Sequence, residues 1–192
     1  MNRAFIIVSL LLALVVAALT VLVRGTSIPT AAAVARNTAI FSGFVFALAF
    51  AYPGIRGWAA LPDQPNYPAL LLAFVAAHLV HYGAVVARAI VEHGGRRLFS
   101  GAGLLTTAFG FSVVALIGLT ARARPEQRGA GRVNTITVWL AWLLFLVAFA
   151  SFSPRSLISA ALLGINVVAG GVRIAGVVAR RKKPAIRPAN AS

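Results

Sequence analysis

The chain has 192 residues, of which 60% are hydrophobic and 11% charged, and its mean hydropathy is +0.89. Soluble domains are about one quarter charged, so this composition excludes a soluble globular protein and indicates apolar side chains that face lipid. Eighteen Lys and Arg residues against three acidic residues give a formal net charge of +15. They separate apolar runs instead of forming a patch, which excludes nucleic acid as the expected partner and favours the anionic headgroups of membrane lipids.

Six apolar stretches follow one another along the chain. A helix needs about 20 residues to cross a hydrocarbon core of about 30 Å, so the sequence predicts an all-α, polytopic membrane protein that folds as a bundle of six transmembrane helices. The predicted helices cover residues 5–23, 38–55, 68–90, 98–121, 133–153 and 156–179. Together they form one transmembrane domain over residues 1–179, followed by a basic cytoplasmic tail over 180–192. The first stretch ends without an A-x-A cleavage site and is interpreted as a retained helix.

The basic residues predict how the bundle is oriented, because cytoplasmic loops of membrane proteins carry an excess of Lys and Arg. Eleven basic residues belong to the side that holds both termini, and six belong to the opposite side. The sequence therefore predicts a multi-pass protein of a bacterial inner membrane with its N- and C-termini in the cytoplasm.

Several other residues carry expectations about packing. The rings of Trp139 and Trp142 are expected at the membrane interface, and Pro53 at the end of helix 2, where its missing N–H costs little. Arg173 is expected to extend its side chain to the headgroups. Asn166 is expected to hydrogen-bond a neighbouring helix. Glycines on helices 4 and 6 are expected to allow close approach between helices.

The residues best suited to carry chemistry are His78 and His81, because the chain contains no cysteine and its three acidic residues lie in predicted loops. A spacing of three puts both imidazoles on one face of helix 3, close to the middle of the membrane, where ionisable groups are costly and commonly functional. Haem iron accepts imidazole as an axial ligand, so the pair predicts a haem site. The alternative is that the rings hydrogen-bond to a backbone carbonyl or to Ser or Thr of a neighbouring helix.

One helix cannot supply both axial ligands of a haem, because these approach the iron from opposite faces. The third histidine, His93, is expected in a solvated loop after helix 3. Five-coordinate haem, a partner that is not histidine and a site shared across a homodimer all stay open.

Three segments resemble the small bacterial proteins of the ferric reductase-like transmembrane family. Residues 35–39 (ARNTA) and 46–50 (FALAF) are similar to the start of the family's second helix. Phe74, His78 and His81 match its F-x-x-x-H-x-x-H element. Residues 132–143 (RVNTITVWLAWL) are similar to its fifth helix. The three segments occur in the family's order and cover helices 2 to 5.

This resemblance implies a six-helix unit that holds haem b between histidines of helices 3 and 5 and carries electrons in the membrane. His78 and His81 would provide the iron ligand on helix 3. Asn134 stands at the position of the family's second histidine, and it is expected at the cytoplasmic start of helix 5. Arg36, at the predicted entrance to helix 2, can pair with a haem propionate or with a lipid phosphate.

The sequence therefore gives a leading hypothesis and two competitors. The leading hypothesis is a ferric reductase-like membrane protein, either a haem b electron-transfer subunit supplied by a redox partner protein or quinone, or a derivative without haem. The first competitor is a non-catalytic membrane protein that packs against partner helices or lipid. A small-solute transporter is less favoured, because the stretches lack interruptions in mid-helix and paired charges.

Overall fold

A computed structural model of the chain describes residues 3–59, 66–94, 101–121, 128–152 and 156–181. These residues form six α-helices, and no strand occurs in the ranges described. The bounds are α1 (Arg3–Arg24), α2 (Ile28–Trp58), α3 (Tyr67–His93), α4 (Gly101–Thr120), α5 (Arg128–Phe152) and α6 (Leu157–Arg181). The predicted all-α fold with six helices is confirmed.

The helices are those of a membrane protein. In the described part of the chain, α1, α2, α3, α5 and α6 are long and apolar enough to cross a membrane. The apolar segment found in α4 is shorter and covers Ala108–Thr120. Most side chains of α1 are exposed, including large aliphatic ones. An apolar helix with this much exposed surface requires lipid around it.

Helix α2 begins ten residues before the predicted start at residue 38. The Ser27 side chain accepts a hydrogen bond from the Thr30 N–H at 3.3 Å, and Pro29 follows in the first turn, which together form a strong helix start. Gly25, at φ +70°, ends α1 just before this cap. The predicted start of helix 2 is wrong, because Arg36 interrupts the apolar run without ending the helix. Its exposed side chain lies well inside α2.

The predicted bounds of helices 3, 5 and 6 also need correction, and helix 5 begins at Arg128, not at residue 133. Helix α3 continues to His93 and ends at Gly94, which has φ +57° and donates its N–H to the Ile90 carbonyl at 2.8 Å. His93 is therefore the last helical residue, not part of a loop. Helix α6 continues to Arg181, so the first two residues of the predicted tail are helical; residues 182–192 lie outside the described range.

Helix α2 is the centre of the bundle and packs against α1, α3, α5 and α6. Its aromatic residues Phe46 and Phe50 are fully buried, as is Phe74 of α3. The ring of Phe46 packs against Phe74 and Phe145, with centroids 4.8 and 4.9 Å away. This aromatic core joins α2, α3 and α5 and lies next to the two histidines.

Helices α2 and α6 cross in direct backbone contact. A Cβ atom built on Gly54 would meet the Val172 carbonyl oxygen and would lie 2.5 Å from the Cα of Arg173. A Cβ atom built on Gly176 would likewise meet the backbone of Gly54. The expected role of glycine in helix 6 is confirmed at Gly176, while its partner Gly54 was not identified from the sequence.

Candidate functional site

His78 and His81 lie one turn apart on α3, and their ring centroids are 5.1 Å apart. A rise of about 1.5 Å per residue puts the two positions about 17 and 21 Å from the first residue of the helix. Both side chains face α2 and are partly buried. The pair thus occupies the middle part of a helix that is long enough to cross a membrane.

The Nδ1 atom of His81 is held by the first half of α2. It lies 3.0 Å from the Ala35 carbonyl oxygen and 3.4 Å from Thr38 Oγ1. A carbonyl can only accept, so the proton of the neutral ring is on Nδ1. Thr38 donates its own hydroxyl proton to the Val34 carbonyl at 2.8 Å. The Nε2 atom, on the opposite edge of the ring, keeps a lone pair to which none of the described residues donates.

His78 is held in the same way one turn further along α2. Its Nδ1 atom lies 2.9 Å from Ser42 Oγ. The Ser42 hydroxyl also lies 3.1 Å from the Ala39 carbonyl, and when it donates there it accepts from Nδ1 of His78, as the tautomer with the proton on Nδ1 requires. The alternative that the histidines hydrogen-bond to a carbonyl and a serine is thus confirmed for Nδ1. It leaves Nε2 of both rings available, and a metal-bound histidine typically has this same second hydrogen bond.

A cavity of about 820 Å³ lies beside the two rings, between α2, α3, α4 and α5. Its walls are mainly apolar and include Phe109 of α4 and both Phe145 and Phe149 of α5. Ligand sites in proteins are commonly about 300 to 1,000 Å³ and mostly apolar, with a few polar groups. Both histidines and Tyr82 are such groups here.

Three arginines lie at the mouth of this cavity. Arg24 ends α1, Arg36 lies in the first part of α2, and Arg88 lies near the end of α3. All three belong to the end of the bundle that carries the turn between α1 and α2, referred to below as the turn end. Arg88 also donates to the Glu92 carboxylate at 2.8 Å. The mouth is therefore cationic, and the interior is apolar.

The two histidines differ in their freedom to reach a ligand. The rings of Phe74, Tyr82 and Phe145 surround His78 at centroid distances of 5.2, 4.9 and 5.6 Å. His81 has ring contacts with His78 and Tyr82 only, within the described residues. His81 is also one turn nearer to the arginines. It is the more accessible imidazole of the pair.

The structure separates Asn134 from the histidines. Because α5 begins at Arg128, Asn134 lies inside the helix and not at its start as predicted. Its Nδ2 donates to Thr120 Oγ1 at the end of α4, at 2.9 Å. Asn134 is buried but does not line the cavity. The α5 residue that contacts the His78 ring is Phe145.

Comparisons of the chain with protein-family models, curated proteins and solved structures found no match. The resemblance to the ferric reductase-like family therefore stays a prediction, and the chemistry of the site rests on its own residues. Within the ranges described, no three His, Cys, Asp or Glu side chains come together as ligands for a metal ion. A haem requires fewer protein ligands, because its porphyrin already provides four nitrogens to the iron.

Arg173 is a buried cation, and the prediction for its side chain is wrong. Its side chain does not extend to the headgroups. The guanidinium donates to the Phe50 carbonyl at 2.9 Å and to the Tyr67 hydroxyl at 3.2 Å, and it lies 4.5 Å from the Phe50 ring centroid. The nearby Pro53, expected at the end of helix 2, lies inside it and supplies no N–H to the helix. Arg173 therefore reinforces α2 close to this interruption.

Asn166 also differs from expectation, and Trp142 contacts its backbone. The Asn166 side chain donates to the Leu162 carbonyl of its own helix at 2.9 Å, not to a neighbouring helix. Its backbone carbonyl accepts a hydrogen bond from Trp142 Nε1 at 2.9 Å. Trp139 and Trp142 both pack against the aromatic core, with ring centroids 4.9 and 5.6 Å from that of Phe50. They join α5 to α2 and α6.

Proposed function

We propose that this protein binds one haem b in the cavity beside α3 and serves as a ferric reductase-like electron carrier of the membrane. The observation that carries the proposal is the common arrangement of His78 and His81. Both Nδ1 atoms are hydrogen-bonded to α2, and none of the described residues forms a hydrogen bond with Nε2 of either ring. Imidazole Nε2 is a usual axial ligand of haem iron.

The donor set fits a haem with one protein ligand and does not fit one held between two histidines. His78 and His81 are on the same helix and approach from the same side. Asn134, which the family resemblance aligns with the second histidine, is bonded to Thr120 and does not line the cavity. The proposal is therefore a haem held from α3 alone.

His81 is the proposed ligand. Its Nδ1–H bond to the Ala35 carbonyl is the type of second hydrogen bond that fixes a ligating ring and raises its basicity. His78 is enclosed by aromatic rings, and we assign it the role of a positioning residue for His81. Arg36 and Arg88 at the mouth of the cavity suit the two haem propionates, because a guanidinium binds carboxylate through paired hydrogen bonds.

A haem in this position supplies one-electron chemistry, and the protein supplies its orientation and surroundings. The apolar walls keep water away from the bound group. The Ala35 carbonyl holds the tautomer of His81, and the Ser42 hydroxyl orients the His78 ring. The electrons come from a redox partner protein or quinone, because this chain has no strand in the described ranges and no nucleotide-binding loop motif in its sequence.

The absorption spectrum of the protein tests this proposal. The protein is expressed with haem supplementation, purified in mild detergent and measured before and after dithionite. We expect a Soret band that shifts on reduction, loss of this band in His81→Ala, and retention of it with an altered position in His78→Ala. The absence of a Soret band in the wild-type protein refutes the proposal and leaves a membrane protein that packs with helices or lipid. Equal loss in both variants refutes the assignment of His81 alone.

We further propose that the protein lies in the inner membrane with both termini in the cytoplasm and the turn end outside. The basic residues support this orientation. The chain contains no cysteine, so single cysteines can report on it. Thr26→Cys at the turn end should react with a membrane-impermeant maleimide in intact cells. The matched variant Trp58→Cys, at the opposite end of α2, should react only after permeabilisation. The reverse pattern contradicts the orientation.

A further inference from the structure

Among the described residues, the α4 and α5 walls of the cavity contain no side chain that readily ligates haem iron. The α5 wall consists of Ala141, Leu144, Phe145, Ala148 and Phe149. Val113 and Val114 of α4 continue this apolar surface. Any group bound to His81 would meet hydrocarbon on its other side.

The polar groups of the cavity lie elsewhere. Tyr82 belongs to α3 itself, next to His81, and its hydroxyl is directed against Gly110 of α4, where a Cβ atom would meet it. Ser156 and Ser159 lie at the start of α6, and the three arginines lie at the mouth. Among the described residues that line the cavity, none on the α4 or α5 wall offers an imidazole, a thioether or a hydroxyl.

One position of α5 is level with His81. Tyr67 and Trp139 both lie beside Arg173, at 5.7 and 5.6 Å from its guanidinium carbon. Further along the two helices, His78 contacts Phe145. Helices α3 and α5 therefore run in the same direction. Starting from the His78–Phe145 contact, a step of three residues along each helix, about 4.5 Å, brings His81 towards the level of Ala148, which also lines the cavity.

We propose that this apolar wall leaves the sixth coordination position of the haem open to a small neutral diatomic ligand such as carbon monoxide or nitric oxide. The inference rests on the proposed haem site. The polarity and hydrogen-bond donors on the open side of a haem decide which ligands it accepts. A neutral diatomic molecule enters an apolar space at low cost, whereas an anion must lose its hydration there without a hydrogen-bond donor from the described residues of the α4 and α5 walls. Azide should therefore bind poorly.

Carbon monoxide is the probe that tests the proposal. The haem-loaded, dithionite-reduced protein in detergent is titrated with carbon monoxide, and the oxidised protein is titrated with azide. We expect a saturable shift of the Soret band with carbon monoxide that is reversed by a light flash, and no shift with azide. A Soret band that does not respond to carbon monoxide overturns this inference while leaving the haem proposal in place. A missing Soret band overturns the haem proposal itself.

A matched pair of variants at Ala148 tests the role of the α5 wall. Ala148→His adds an imidazole at the level of His81, and it should occupy the sixth position and weaken carbon monoxide binding about tenfold or more. Ala148→Leu adds apolar bulk without a ligand and should keep the carbon monoxide response. If Ala148→His binds carbon monoxide as tightly as the wild-type protein, the assignment of α5 as the opposite wall is wrong. The wild-type titration decides the proposal even where a variant fails to fold.

Discussion

Replacement of Gly54 by alanine should separate α2 from α6. The two helices touch through their backbones at Gly54 and Gly176. A methyl group on Gly54 would lie 2.5 Å from the Cα of Arg173, whereas carbon atoms pack at about 3.5 to 4.0 Å. The obstacle is backbone and cannot rotate away, so the helices must move apart by about 1 Å.

The energetic cost has two parts. Overfilling a well-packed contact costs about 1 to 3 kcal/mol. The same displacement lengthens the bond from Arg173 to the Phe50 carbonyl, now 2.9 Å, to about 3.9 Å, beyond hydrogen-bonding distance. Loss of a hydrogen bond to a charged group adds about 1.5 to 3 kcal/mol. Gly54→Ala should therefore lower the free energy of unfolding by about 2.5 to 6 kcal/mol.

Unfolding in mixed micelles by titration with dodecyl sulfate, followed by tryptophan fluorescence, measures this change. Gly171→Ala is the control, because a Cβ atom at that position of α6 meets nothing within 4 Å. It carries the same gain in helix propensity, up to about 1 kcal/mol, which cancels in the comparison of the two variants, and it should be at least as stable as the wild type. If the two variants are equally stable, the backbone contact between α2 and α6 is not as close as described.

Two further predictions concern polar residues inside the bundle. Arg173→Lys keeps the charge but loses the forked contacts with α2 and α3, so it should lower the free energy of unfolding by about 1 to 3 kcal/mol in the same titration; stability equal to wild type would contradict the role of the guanidinium. Asn134→Ala should cost about 0.5 to 1.5 kcal/mol through the lost bond to α4 and leave the Soret absorbance per chain unchanged. Loss of haem in Asn134→Ala would restore it as a candidate ligand.

The number and type of the helices could be predicted from the sequence, because apolar runs of about 20 residues have few alternatives in a membrane. The start of α2 was missed for a specific reason. Arg36 interrupts the apolar run without interrupting the helix, since a helix surface tolerates one exposed cation. The cap formed by Ser27 and Pro29 was the signal that marks the true start.

The side-chain contacts inside the bundle could be predicted only in part. The i, i+3 spacing of His78 and His81 was sufficient to bring them to one face of α3, and hydrogen bonds to a neighbouring helix were among the alternatives considered. Which edge of each ring α2 holds depends on the rotation of two helices about their axes. A periodicity argument does not determine that rotation.

The position of Arg173 shows the same limit more clearly. From the sequence, a cation near the end of an apolar run is expected to reach the headgroups. In the folded chain, the carbonyl of Phe50, the hydroxyl of Tyr67 and the Phe50 ring satisfy it inside the bundle. These three partners come from two other helices. Only the tertiary arrangement brings them together around one residue of α6.

The amount of haem per protein chain tests the central claim most directly. The haem extracted from purified protein as its pyridine complex is divided by the protein concentration, for the wild type and for His81→Ala prepared in the same way. The account predicts about one haem per chain in the wild type, as one axial histidine in one cavity requires, and almost none in His81→Ala. A wild-type protein without haem, or an equal haem content in the two proteins, would contradict it.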